Sequence, residues 1–159
     1  MKTLILYSSK YGFTKKCVDY LSSKIKGEIY IVNINDEKDI NLGYYNNIII
    51  GSPVYMGLIN GDLKKYINEN IDLLLTKKVY LFLSCGVLKN MDTYLKANFD
   101  EKFLNHIIIS KCFGGELRLD KLSFIDKMIA KMASKAHDGS EKPSFLKQNV
   151  DEFIDEINE

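Results

Sequence analysis

The sequence predicts an α/β chain built on a doubly wound parallel sheet, with an additional helix after the last strand. Two observations carry this expectation. Five short runs are dense in β-formers, and three of them are almost continuously apolar, as strands covered on both faces are. Between the runs lie stretches with apolar residues at helical spacing, and strands alternating with helices build right-handed βαβ units.

The strands are expected at Thr3–Ser8, Glu28–Ile34, Asn47–Ser52, Lys78–Ser84 and His106–Ser110. A helix over Thr14–Lys26 places Val18, Leu21 and Ile25 on one face. A second, over Asp62–Leu74, does so with Leu63, Tyr66, Ile67, Ile71 and Leu74. Met91–Phe99 reads as a short helix, and Asp36–Asn46 as either a short helix or a loop. Beyond the fifth strand, a helix over Lys121–Lys135 precedes a loop with Gly139 and Pro143. A last helix, Ser144–Ile157, buries Phe145, Leu146, Val150, Phe153 and Ile154 against the sheet. No internal repeat or low-complexity linker divides the 159 residues, a length expected of one domain over 1–159.

Composition narrows the function classes. The 22 basic and 21 acidic side chains leave a net charge of +1, which gives no electrostatic footprint for nucleic acid. No leader pattern and no apolar run near the roughly 20 residues of a membrane span stand in the sequence. Cys17, Cys85 and Cys112 lack CxxC spacing, so neither a disulfide framework nor a zinc site is expected. They read as thiols of a reducing cytoplasm. With only His106 and His137, a metal cluster or a histidine triad is not expected.

In an open parallel sheet, ligands bind beyond the carboxyl ends of the strands, where strand order reverses. The loops after strands one, three and four therefore matter most. The first, "SSKYGFT", offers hydroxyls from Ser8, Ser9, Tyr11 and Thr14, with Gly12 for close backbone approach. It opens a helix, whose unpaired N–H groups and dipole suit a phosphate. It also reads as an ordinary capped turn. Neither the nucleoside-triphosphate pattern G-x-x-x-x-G-K-[ST] nor the dinucleotide pattern G-x-G-x-x-G is present. Hydroxyls dominate, which suits a terminal phosphomonoester. The second loop, "GSPVYMGLING", sets Pro53, Val54, Tyr55 and Met56 before glycines, and an exposed aromatic there suits stacking on a flat ring. The third, "SCGVLKN", has the small residues Ser84, Cys85 and Gly86, which admit a planar heterocycle close to the backbone.

Ser9–Thr14, S-K-Y-G-F-T, resembles the flavodoxin phosphate-loop pattern [ST]-x-[ST]-G-x-T, with Tyr11 as the departure. Ile48–Gly57, "IIIGSPVYMG", resembles the segment of flavodoxin-like proteins that lies against the isoalloxazine ring. The likeness covers essentially the whole chain. It implies a flavodoxin-like five-stranded sheet of order 2-1-3-4-5 and FMN as cofactor. Ser9, Lys10, Tyr11, Gly12, Phe13 and Thr14 would then hold the phosphate. Pro53, Val54, Tyr55, Met56 and Gly57, with Ser84, Cys85 and Gly86, would line the ring, and Gly57 would sit at its reducible edge. Cys85 is expected there as a small residue, and Cys17 and Cys112 without a role. Phe113–Met132 is similar, in Gly115, Leu117, Asp126, Met128, Ile129 and Met132, to the menaquinone-dependent protoporphyrinogen oxidase branch.

The resemblance implies electron transfer with a redox partner protein or a small organic acceptor, a quinone or a protoporphyrinogen-type substrate among them. Pure carriers of this fold are usually acidic, and this chain is near neutral. A flavin-free interaction module stays open as the alternative. A receiver domain is set aside, because Ser8 and Ser9 stand where its acidic pair would be. On the helix over 121–135, Phe124, Ile125, Met128, Ile129 and Met132 share one side among lysines. That side reads either as a docking face for a partner or membrane surface, or as a face packed on its own domain.

Overall fold

The computed structural model describes every residue except 87, 117–122 and 137–143. Strand β1 (Lys2–Tyr7) lies between β2 (Glu28–Asn33), at one edge, and β3 (Asn47–Pro53), at the centre. Outward from β3 lie β4 (Lys78–Ser84) and β5 (Ile109–Cys112). The sheet has the order β2-β1-β3-β4-β5 and all its pairings are parallel. This is the expected topology, and its order reverses between β1 and β3.

Alternation along each strand divides the core in two. Leu4, Leu6, Ile48, Ile50, Leu81 and Leu83 face one layer. That layer holds α2 (Gly61–Glu69), α3 (Ile71–Leu74), α4 (Met91–Asn98) and α5 (Glu101–His106). Ile5, Tyr7, Ile49, Tyr80 and Phe82 face the other, with α1 (Phe13–Ser22) and α7 (Lys147–Asn158). Strands buried on both faces need apolar side chains at every position, which is why β1, β3 and β4 read as unbroken runs. The extra helix, α6 (Phe124–Ala136), lies after β5. No helix among the described residues is long and apolar enough to cross a membrane.

Several elements differ from expectation. The helix over 62–74 breaks at Asn70, whose φ of −114° leaves the helical region and whose side-chain amide donates to the Tyr66 carbonyl. His106 does not start the fifth strand; it ends α5. That helix is capped by Asp100, whose side chain accepts from the Phe103 N–H at 2.7 Å. The strand begins three residues later, at Ile109. Asp36–Asn46, left open between a short helix and a loop, is a loop with a single 3-10 turn, Leu42–Tyr44. The first and last helices start and stop within a few residues of their expected ends. The expected loop at Gly139 and Pro143, and the start of the extra helix at Lys121, lie outside the described residues.

Gly51 fixes how the second layer packs. It pairs with Phe82 across β3 and β4, and a Cβ on it would lie 2.2 Å from the Phe82 ring. That ring in turn stacks on Phe113 at 4.4 Å between centroids. Gly51→Ala should therefore destabilise the fold by about 1–3 kcal/mol through overpacking. Urea unfolding of the two proteins checks this as a lower midpoint with an unchanged slope.

Candidate functional site

The three loops meet at the carboxyl edge of β1, β3 and β4. Side-chain hydroxyls tie them together. Ser8 and Ser52 share a hydrogen bond of 3.2 Å, and the Ser52 oxygen also accepts from the Asn60 N–H. The Thr14 hydroxyl donates to Ser84 at 3.2 Å, linking the start of α1 to the end of β4. These groups are buried, so each contact keeps a polar atom satisfied while fixing the loop spacing.

The entrance to α1 is built without a side-chain cap. Gly12 takes the N-cap position at φ 93°, a left-handed conformation that favours glycine. Its carbonyl accepts the first helical bond, from Lys16. The Ser9 hydroxyl accepts from the Gly12 N–H at 3.2 Å and so closes the loop on itself, leaving the first helical turn uncapped. The Thr14 side chain, already bonded to Ser84, points away from that duty. The ordinary capped turn that the sequence also allowed is absent here. What remains is a ring of N–H donors at the positive end of a ten-residue helix. The Tyr11 hydroxyl is buried with no hydrogen-bond partner. Both features leave hydrogen-bonding capacity unused.

The second loop is a two-residue hairpin. The backbones of Tyr55 and Leu58 exchange both hydrogen bonds, at 2.9 and 3.0 Å. Met56 and Gly57 between them have φ of 50° and 79°. Positive φ at both central positions is the signature of a type I′ turn, and it costs Met56 backbone strain. Asn98 clamps the turn from α4. Its amide donates to the Gly57 carbonyl at 2.9 Å and its oxygen accepts from the Ile59 N–H at 3.0 Å.

A cleft of about 200 Å³ lies among these loops. Lys10, Tyr11, Phe13, Thr14, Pro53, Val54, Tyr55, Ser84, Cys85 and Gly86 line it, together with Gly115 and Glu116. An adjoining cavity of about 530 Å³, on the other side of Lys10 and Tyr55, takes in Ser9 and Met56 with Asn35 and Asn60. Gly12 and Gly57 line neither; they shape the turns. Asn98 and Glu116 escaped the sequence reading, and Gly115 entered it only through the branch resemblance, not as a cleft residue. The glycine pair after β5 was the available signal for two of them, and nothing local marked Asn98.

Above the cleft, α6 turns its apolar row outward, so of the two arrangements left open the packed face is not the one found. Phe124, Ile125 and Met132 are 79%, 69% and 69% exposed, while Asp126 is 6% exposed. Asp126 accepts from the Tyr55 hydroxyl in a short hydrogen bond and pairs with Lys10 at 3.0 Å. The Lys10 ammonium in turn sits 4.3 Å from the centroid of the Tyr55 ring. The helix is thus moored by its carboxylate, and its apolar row faces outward. Ile129 and Lys135 have side chains outside the described residues, as do Leu117, Arg118, Asp120 and Lys121.

The cysteines converge behind the same cleft. Cys85 and Cys112, from the ends of β4 and β5, bring their sulfurs to 2.6 Å. The hydrogen bond with Cys85, more than any other influence, lowers the Cys112 thiol to about 7. Burial pushes Cys17 up to about 12. Among the described residues no group of histidine, cysteine and acidic side chains could hold a metal.

A family described as "Flavodoxin domain" matches residues 4–144. No curated protein matches the sequence. Among solved structures, oxidised flavodoxin 1 from Bacillus cereus is similar at 15% identity and a TM-score of 0.56, over 98% of this chain and 93% of that one. A flavoprotein in complex with FMN from Lactobacillus acidophilus is 24% identical over 70% of this chain and 91% of its own, at a TM-score of 0.50. Rubredoxin oxygen:oxidoreductase from Desulfovibrio gigas is 13% identical at a TM-score of 0.53. The match takes in 96% of this chain and only 37% of that protein. At these identities the likeness shows the fold.

The mooring of α6 has a measurable consequence. Tyr55→Phe removes a donor from a buried carboxylate, worth about 1.5–3 kcal/mol. Amide hydrogen exchange over the start of α6 should accelerate, while the exchange of β1, β3 and β4 stays as it was.

Proposed function

The chain belongs to the flavodoxin domain family, and from that premise we propose that it is an FMN flavoprotein that passes electrons to a partner. The uncapped start of α1 is the observation that carries this reading. A phosphate dianion is met there by the amides of the first helical turn. Tyr11, whose hydroxyl is buried and unpartnered, lines the same cleft. Backbone and neutral donors suffice for such a charge. Lys10 is not needed as a counter-ion and is engaged by Asp126.

The remaining residues divide by role. Ser9 and Gly12 hold the loop in its open form, and Phe13 and Thr14 carry the amides forward into the helix. Pro53, Val54, Tyr55, Met56 and Gly57 form one wall for the ring. Ser84, Cys85 and Gly86 form the other, where small side chains admit the backbone. FMN, when bound, supplies the electron chemistry, and the protein supplies orientation and a dry setting. The Gly57 carbonyl is held by Asn98, so any reorientation of that peptide must break a 2.9 Å bond. No catalytic acid or base is required.

The partner side rests on α6. Its outward row of Phe124, Ile125, Met128 and Met132 stands beside the cleft, and two methionines make it adaptable. We assign this row to docking of a redox partner protein, in the cytoplasm. A membrane surface or a small acceptor of the quinone or protoporphyrinogen type are the other outcomes of a binding assay.

Titration of the purified full-length chain with FMN tests the reading. We expect one flavin per chain, with its fluorescence quenched on binding. Thr14→Val keeps the amide but removes the Thr14–Ser84 hydrogen bond that sets the loop spacing, and should weaken binding by about twofold to tenfold. A chain that takes up no FMN under these conditions overturns the reading in favour of a flavin-free module.

A further inference from the structure

Cys85 and Cys112 are far apart in sequence and have no shared motif. The sheet brings them together. Cys112 closes β5 in register with Leu83 of β4, and Cys85 follows two residues after Leu83. Beyond the strand ends the two segments stay in backbone contact. A Cβ on Gly115 would lie 3.3 Å from the Gly86 nitrogen. The sulfurs are 2.6 Å apart, within about 0.6 Å of a disulfide bond of about 2.05 Å. Both thiols are buried, at 4% and 3% exposure, yet Cys85 lines the cleft, so one of the pair is open to a molecule that enters there.

We propose that Cys85 and Cys112 form a reversible dithiol–disulfide couple in the wall of the cofactor cleft, oxidised by small disulfides of the glutathione class. The location of the couple stands on the geometry; its effect on FMN rests on the reading of the cleft given above. In the first step the Cys85 thiol gives its proton to solvent, and the thiolate attacks the small disulfide. A mixed disulfide forms on Cys85, and one small thiolate leaves and is protonated. Cys112 then attacks the Cys85 sulfur, the bond to the small molecule breaks, and a second small thiol departs. In sum, two protein S–H bonds and one small S–S bond are lost. One protein S–S bond and two small thiols are formed, with two electrons passed to the small disulfide.

Cys112 is suited to the second step. Its sulfur lies 2.6 Å from the Cys85 sulfur and accepts from the Gly114 N–H at 3.4 Å, a contact that favours the thiolate and survives when Cys85 is in the mixed disulfide. Cys17 is unsuited. Burial holds its thiol near 12, and it lies inside the α1 layer. The chain therefore carries two reactive thiols and an internal unreactive one.

The full-length chain, incubated with oxidised glutathione, tests the proposal by thiol titration and non-reducing mass spectrometry. We expect the thiol count to fall from three to one, with a peptide joining Cys85 to Cys112. Cys112→Ser should stop at a single glutathionyl adduct on Cys85, whereas Cys17→Ala should form the disulfide as before. FMN at about ten times its dissociation constant leaves about a tenth of the clefts open and should slow the reaction about tenfold. Three thiols remaining, or a bond that involves Cys17, overturns the couple. An unchanged rate in a chain shown to be saturated with FMN overturns its placement in the cofactor wall. If the chain binds no FMN, the thiol count and the peptide map still decide the couple alone.

Discussion

The first turn of α1 is the constraint around which the other parts are arranged. A helix begins with N–H groups that have no partner inside it, and proteins usually cap them with a side chain. Here the residue at the N-cap is a glycine, and the two nearest hydroxyls are committed elsewhere. Ser9 accepts from Gly12, and Thr14 donates to Ser84. The commitments are linked. The Thr14–Ser84 contact sets the distance from α1 to the β4 loop, and Ser52 fixes the β3 loop through Ser8 and Asn60. An open helix end and a cleft of fixed width thus come from the same hydroxyl groups. The burial of Ser8, Thr14, Ser52 and Ser84 makes the arrangement rigid, because any loop that moves strands a polar atom.

The placement of α6 follows from a competition between two interactions. Its apolar side chains would gain by burial, roughly 1.5–3 kcal/mol for each large one. That gain is forgone for Phe124, Ile125 and Met132. In its place Asp126 reaches a phenol and an ammonium that the β3 and β1 loops already present. A buried carboxylate with two partners is tolerable; without them it would be driven back to water. The cost is an apolar row in solvent beside the cleft, and exposed rows of this kind mark surfaces of association.

How much could be read beforehand depended on whether the determining contact was local. β1, β3 and β4 were legible because burial on both faces writes itself into every residue of the strand. The loops at 9–14, 53–57 and 84–86 could be placed side by side because parallel strands all end at one edge of the sheet. The run His106–Ser110 misled, since apolar residues continue from α5 into β5 without a change of composition. The capping contact of Asp100 with the Phe103 amide, which decides the matter, is a detail of geometry. The orientation of α6 was hidden for a similar reason. Helical spacing locates an apolar row, and only the position of Lys10 and Tyr55 reveals that the opposite side is the one held. Asn98 and the cysteine pair were out of reach altogether, because their partners lie 41 and 27 residues away in the chain.

A parallel sheet gives the cysteine pair its meaning. All strands end at the same edge, so the end of β5 lies beside the residues that follow β4, and Cys85 lines the cleft there. A bond between them would tie the β4 loop to β5 and fix Cys85 and Gly86 more tightly than hydrogen bonds do. Any such change that alters the affinity for a ligand in the cleft must be reciprocal: the ligand shifts the thiol–disulfide balance by the same free energy. Cys17 lies deep in the α1 layer and stays outside this linkage. Electron state and ligand occupancy are then coupled through one backbone segment, with no larger conformational change required.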